Sequence, residues 1–224
     1  MRLLHFYDLP QGGFAGLRER QLVIDPKINR GRVHPSAASG IGNFVYLADA
    51  NFMPKGETGM HPHREVDVIS VMVDGRISHA GSLEHGQQLN AGSVQVQRAG
   101  GEGFSHNEIN PDNKENNMIQ LWVLPEKQGG KAGYKIYQPQ AGQRTRIYGG
   151  SEEQEQTFAS NTLIDIAQPL AGEQLEHKGK VMAYIVKGSA SFNGQTVKPR
   201  TLVRSDGLTI KALSDSKIIL VYTQ

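Results

Sequence analysis

Two short stretches carry the chemistry this sequence can do. In His61-Pro62-His63 the two imidazoles stand two residues apart, and in an extended strand residues i and i+2 project from the same face. Pro62 between them has no N–H to donate and cannot continue a helix, which suits a strand start or a sheet edge. His106-Asn107-Glu108 repeats the same spacing on a second stretch. If the two strands face each other, three imidazoles and one carboxylate converge on a point. Three nitrogens and one oxygen suit one divalent first-row transition metal, with Fe(II), Zn, Ni, Cu and Mn all admissible. His61, His63, His106 and Glu108 are the predicted metal ligands.

The rest of the chain offers strands to hold them. Residues 44–48 and 68–73 are apolar runs, the second ending in an Asp74-Gly75 turn with a return strand at 76–79. Residues 92–98 alternate strictly, as a half-buried strand does, and residues 118–124 are apolar on both faces until Pro125 stops them. Short strands between glycine turns predict a β-sandwich or barrel. Residues 1–43 read as irregular apart from a strand at 21–24. The glycine-rich run at 11–16 is expected to be a loop, because it lacks both the Lys and the glycine spacing of phosphate-binding loops.

A polar, glycine-containing stretch begins at Glu126. It divides the chain into an N-terminal metal-binding domain at 1–130, a linker at 131–145 and a C-terminal domain at 146–224. A faint internal repeat crosses that boundary: residues 71–77 resemble 184–190, each a strand, a turn glycine and a return strand. Aligning Gly188 with Gly75 puts Gln174 and Glu176 where His61 and His63 stand, and no histidine follows His177. The metal site is expected in the first half alone. Asn193-Gly194 predicts a tight hairpin.

Composition removes several functions. With no cysteine in 224 residues, disulfides and thiolate chemistry are excluded. A net charge of +2 without charge blocks implies no direct nucleic-acid partner. Asp8 and Pro10 interrupt any signal-peptide core, and no apolar run approaches the ~18 residues of a membrane span. The expectation is a soluble, cytoplasmic protein with no membrane partner.

Taken together, the His-Pro-His leading to Gly75, the alternating strand at 92–98, the turn at 100–103, His106-Asn107-Glu108 and Gln120-Leu121-Trp122-Val123 resemble the pirin family of bicupins. The motifs span residues 40–125. The resemblance implies an all-β fold of two cupin (β-jelly-roll) domains and one metal centre, usually iron, held by His61, His63, His106 and Glu108. Some bacterial pirin-like proteins have quercetin 2,3-dioxygenase activity, whereas eukaryotic pirin is a nuclear, iron-dependent transcription co-regulator. One departure concerns Asp67, where cupins commonly carry Glu four residues after the second histidine; it bears on pocket shape more than on the metal.

On this basis the expected function is an Fe(II)-type dioxygenase acting on flavonol-like, enolisable aromatic substrates with O₂. Octahedral metal with four protein ligands leaves two positions open. Glu108 is the ligand able to loosen and act as catalytic base. Two other classes compete: a non-enzymatic, iron-dependent regulator with a protein partner, and a metal-dependent cupin isomerase. His5, His34, His79, His85 and His177 lack ligand-spaced partners and read as surface or hydrogen-bonding residues. Glu65 and Asp67 share the parity of the His pair, so each either orients a ligand or is solvated or structural. Trp122 reads as core before substrate platform, and Glu102 as a solvated loop charge. No Ser-His-Asp grouping supports a nucleophilic hydrolase.

Overall fold

A computed structural model describes residues 1–83 and 85–224. Nearly all of its regular structure is strand. The strands run β1 (Arg2–His5), β2 (Gly12–Phe14), β3 (Leu17–Ile24), β4 (Phe44–Phe52), β5 (His61–His63), β6 (Asp67–Asp74) and β7 (Arg76–Gly81). Then come β8 (Gln87–Asn90), β9 (Val94–Arg98), β10 (Phe104–Ile109), β11 (Asn117–Val123) and β12 (Gly133–Tyr137). The last seven are β13 (Arg144–Gly150), β14 (Ser160–Ala167), β15 (Gln174–Lys187), β16 (Ala190–Phe192), β17 (Gln195–Val197), β18 (Thr201–Ala212) and β19 (Lys217–Thr223). Among the described residues no helix is long and apolar enough to cross a membrane.

The chain forms two compact units, Leu9–Gln138 and a second built from Met1–Asp8 with Pro139–Gln224. This differs from the sequence-based division. β1 pairs with β18, from Arg2↔Arg204 to His5↔Thr201, so its backbone bonds place the first residues in the second unit. The expected linker at 131–145 holds β12, which closes the edge of the first unit on β9, and the start of β13.

In the first unit a seven-stranded sheet, β12-β9-β6-β11-β4-β3-β2, accompanies a four-stranded one, β5-β10-β7-β8. All named pairings are antiparallel. β6 and β11 are buried along most of their length, which is why both read as continuous apolar runs. Leu17, Ala50, Phe52, Met72, Ile77, Leu89 and Met118 pack into one apolar cluster. The run at 11–16 is not a loop: β2 and β3 form a hairpin joined by Ala15 and Gly16, with Phe14 opposite Leu17. Sequence spacing missed it because Gly-Gly-Phe is a poor strand former alone, and the left-handed Ala15 (φ 49°) makes the turn.

In the second unit the eight-stranded sheet β13-β14-β19-β15-β18-β16-β17, with β1 on β18, packs a core including Leu163, Ala167, Val203 and Leu220. Asp165 lies between Leu163 and Ala167 on that face, 2% exposed. Arg144 Nε donates to it at 2.6 Å, Arg146 Nε donates to its other oxygen, and Tyr222 Oη donates at 2.6 Å. Gln174 and Glu176, the counterparts of the histidine pair, are exposed.

Both repeat glycines adopt left-handed backbone, Gly75 at φ 69° and Gly188 at φ 85°. A Cβ on Gly75 would sit 2.8 Å from Asn116 Cβ, and one on Gly188 would overlap the Asp215 carbonyl oxygen. Gly194, in the predicted Asn-Gly hairpin between Phe192 and Gln195, has φ 83° but open space around it. Gly194→Ala is therefore expected to cost only the left-handed penalty of about 1–2 kcal/mol. Gly188→Ala adds a backbone clash and should cost clearly more by urea denaturation. Equal losses would show that the turn at Gly188 yields to a side chain.

Candidate metal centre

The smaller sheet of the first unit sets the site. β5 and β10 pair with His61 opposite His106 and His63 opposite Phe104, so the three histidines project from neighbouring strands toward one point. His106 Nε2 lies 3.1 Å from His61 Nε2 and 3.2 Å from His63 Nε2. The ligand atoms of all three lie within 4.8 Å of one another. Nitrogens bound at about 2.1 Å to one ion stand about 3.0 Å apart at right angles and about 3.4 Å apart in a tetrahedron. Both spacings through His106 fall in that range, and the three donors lie close enough together to suit one first-row divalent ion.

Hydrogen bonds on the far side of two rings fix which nitrogen is free. His61 Nδ1 lies 2.9 Å from the Gly59 carbonyl oxygen, which obliges Nδ1 to carry the proton and leaves the Nε2 lone pair inward. His106 Nδ1 lies 3.0 Å from Gln97 Oε1 and does the same. Gln97 Nε2 in turn faces His79 Nε2 at 3.1 Å, and His79 Nε2 lies 3.2 Å from His106 Nδ1. Burial, aided by the charge of neighbouring histidines, pulls His106 down to about 2 and His63 down to about 4. Both rings are held neutral, the form that binds metal.

Glu108, 2% exposed, lines the same cavity but its carboxylate stands outside the cluster of three nitrogens. Its Oε1 accepts from Ser70 Oγ at 2.8 Å and from Gln95 Nε2 at 3.4 Å. Burial pushes Glu108 up to about 7, against the lowering effect of the Ser70 bond. The opposite wall comes from inward positions of the same parity on three strands: Leu17 and Glu19 on β3, Tyr46 and Ala50 on β4, Met118, Gln120 and Trp122 on β11. The enclosed volume is about 50 Å³.

Ser70, Gln95 and Gln97 are the supporting residues that the sequence does not single out. The alternation of β9 predicts a half-buried strand, yet Gln95 and Gln97 are both fully buried, because their amides form the hydrogen-bonded layer behind Glu108 and His106. Two amides at i, i+2 on a strand between buried valines were the available signal. His79 takes the hydrogen-bonding role allowed for it. Glu65 and Asp67 line no part of the cavity. Glu65, left-handed at φ 54°, accepts from the Gly129 amide, and Asp67 is fully buried against Arg98 at 3.1 Å. Trp122 lines the cavity while stacking on Tyr46 at 4.4 Å, so it is core and wall at once.

The Pirin family model matches residues 30–123. The quercetin 2,3-dioxygenase of Escherichia coli K12 is 28% identical over 177 residues, covering 72% of this chain and 74% of that one. The Pseudomonas aeruginosa protein PA1210 is 31% identical over 175 residues, covering 72% and 75%. In three dimensions the bacterial pirin YhhW of Escherichia coli, solved in complex with nickel(II), superposes with a TM-score of 0.81 at 19% identity, over 98% of this chain and 97% of that one. The matched motif region contains both histidine strands, the sequence relatives extend the match over most of the chain, and the chain belongs to the pirin family.

Proposed function

We propose that this pirin is a mononuclear iron-dependent dioxygenase that takes a flavonol-like, enolisable aromatic substrate and O₂. The observation that carries this reading is the convergence of three imidazoles beside a buried carboxylate in one cavity. The activity named for the E. coli relative supports the substrate class, and the nickel(II) of YhhW supports a first-row metal on this scaffold.

His61, His63 and His106 would hold the metal, with Glu108 as the fourth ligand. A bound divalent metal supplies Lewis-acid and redox chemistry. Everything else falls to the chain. The Gly59 carbonyl and Gln97 keep two imidazoles in the binding tautomer. Ser70 and Gln95 engage Oε1 of Glu108, leaving Oε2 to meet the metal or take the proton of a substrate hydroxyl. A carboxyl held up to about 7 exchanges that proton near neutral pH. The stacked Tyr46 and Trp122 keep the reacting corner dry.

One observation favours a second reading, a metal-dependent binding module without turnover: a cavity of about 50 Å³ cannot enclose a whole flavonol. Metal analysis on untagged protein, followed by oxygen uptake with quercetin, separates the two. One iron per chain and quercetin-dependent oxygen consumption are expected. Loaded protein that consumes no oxygen and leaves quercetin intact would overturn the dioxygenase assignment.

A further inference from the structure

A second concavity of about 340 Å³ adjoins the metal cavity in the same unit, bounded by the start of the chain segment at Leu9 and by the β2–β3 hairpin. Ligand pockets for drug-sized molecules run to roughly 300–1,000 Å³. The outer cleft is therefore of substrate size, while the inner cavity holds only a reacting corner. Phe14 and Glu19 line both spaces.

Those two residues differ in character. Phe14 is 52% exposed and ends β2, a strand that pairs with β3 alone among the described strands. Glu19 is 8% exposed. Its carboxylate accepts from Gln21 Nε2 at 2.7 Å and from Tyr46 Oη at 3.1 Å. Both donors are uncharged; burial, then the charge of Glu19, raises Tyr46 above its ordinary value and keeps the phenol protonated. No ion pair among the described residues joins Glu19. A carboxylate engaged only by uncharged donors thus stands in the wall between the inner and outer spaces.

We propose that the metal cavity and the outer cleft are two chambers of one substrate site, in which Glu19 selects ligands that present a hydroxyl donor and rejects those that carry a carboxylate. This rests on the reading of the metal cavity as a small-molecule site. Phe14 is the partition: a ligand longer than the inner chamber passes or displaces it. A hydrogen bond to a charged acceptor changes binding by roughly ten- to a hundredfold, and a second anion placed against Glu19 is repelled through a low-dielectric wall.

The single tryptophan, Trp122, lines the inner chamber, so its fluorescence reports binding without turnover. The probes are quercetin, catechol and 3,4-dihydroxybenzoate, the last two differing by one carboxylate, titrated into metal-loaded and metal-free full-length protein. Wild type is expected to prefer catechol over 3,4-dihydroxybenzoate at least tenfold. Glu19→Gln keeps the shape, removes the charge, and should collapse that preference while weakening quercetin tenfold or more. Phe14→Ala, at a half-exposed position, should speed quercetin association severalfold and catechol association much less. No preference in wild type, or a preference that survives in Glu19→Gln, overturns the proposal, as does quercetin association indifferent to Phe14→Ala. Charge selection without oxygen uptake would instead sink the dioxygenase reading and leave this one standing.

Discussion

Replacing His106 with alanine is expected to weaken metal binding by about a hundred- to a thousandfold, measured by competition with a chromogenic chelator. Four-ligand metal sites yield apparent binding energies of about 10–16 kcal/mol, or about 2.5–4 kcal/mol for each ligand. His106 is the appropriate target because both short nitrogen–nitrogen approaches run through its Nε2. It is 1% exposed, so the variant's thermal transition must be recorded beside its affinity. Gln97→Leu keeps the bulk but frees His106 Nδ1 from its acceptor, and supporting residues of this kind typically contribute 10–100-fold. The ordering of the two losses is itself informative. Unchanged affinity in His106→Ala would move the metal away from this cluster altogether.

Glu108→Gln is expected to remove the part of the pH dependence of metal binding that this carboxyl contributes between pH 5 and 7. His63 and His106 are held down at about 4 and about 2, so neither supplies a proton above about pH 4. Glu108, held up at about 7, does. If its carboxylate binds the metal, wild-type affinity falls about tenfold per pH unit below pH 7, close to a hundredfold by pH 5, with one proton released on binding. A flat wild-type profile between pH 5 and 7 would remove Glu108 from the ligand set. The same shift has an opposite signature in metal-free protein. A folded value raised from 4.5 to about 7 stabilises the fold below pH 4.5, and that contribution is lost as pH rises through 7, on the order of 3 kcal/mol. The lowered histidines contribute stability above pH 6.5 that is lost as pH falls toward 4, and they are common to both proteins. Metal-free Glu108→Gln should therefore be more stable than metal-free wild type at pH 8.

The convergence of the three imidazoles was legible because it follows from one rule, the period of two along a strand, applied twice. Residues 44–48 and 68–73 were legible as strands for the related reason that they are buried on both faces, and 118–124 because its partly buried face is still largely apolar. What could not be read was anything set by which strand lies beside which. Gln95 and Gln97 look solvent-facing until β9 is seen with its amides turned toward His106 and Glu108. Glu19 belongs to a stretch of mixed polarity and gains meaning only from Tyr46, 27 residues away in sequence. Phe14 sits in a glycine run whose strand exists because Leu17 and Arg18 pair with it.

The pairing of β1 with β18 makes the metal-bearing unit an insertion: residues 9–138 are spelled out between the first strand of the other unit and the remainder of it. On a ribosome, everything that builds the cavity emerges before residue 139, whereas Arg2–His5 must wait for Thr201–Arg204 to be synthesised. The order of synthesis lets the nascent chain close its metal pocket first and leaves Arg2–His5 without its strand partner until Thr201–Arg204 arrives to receive it.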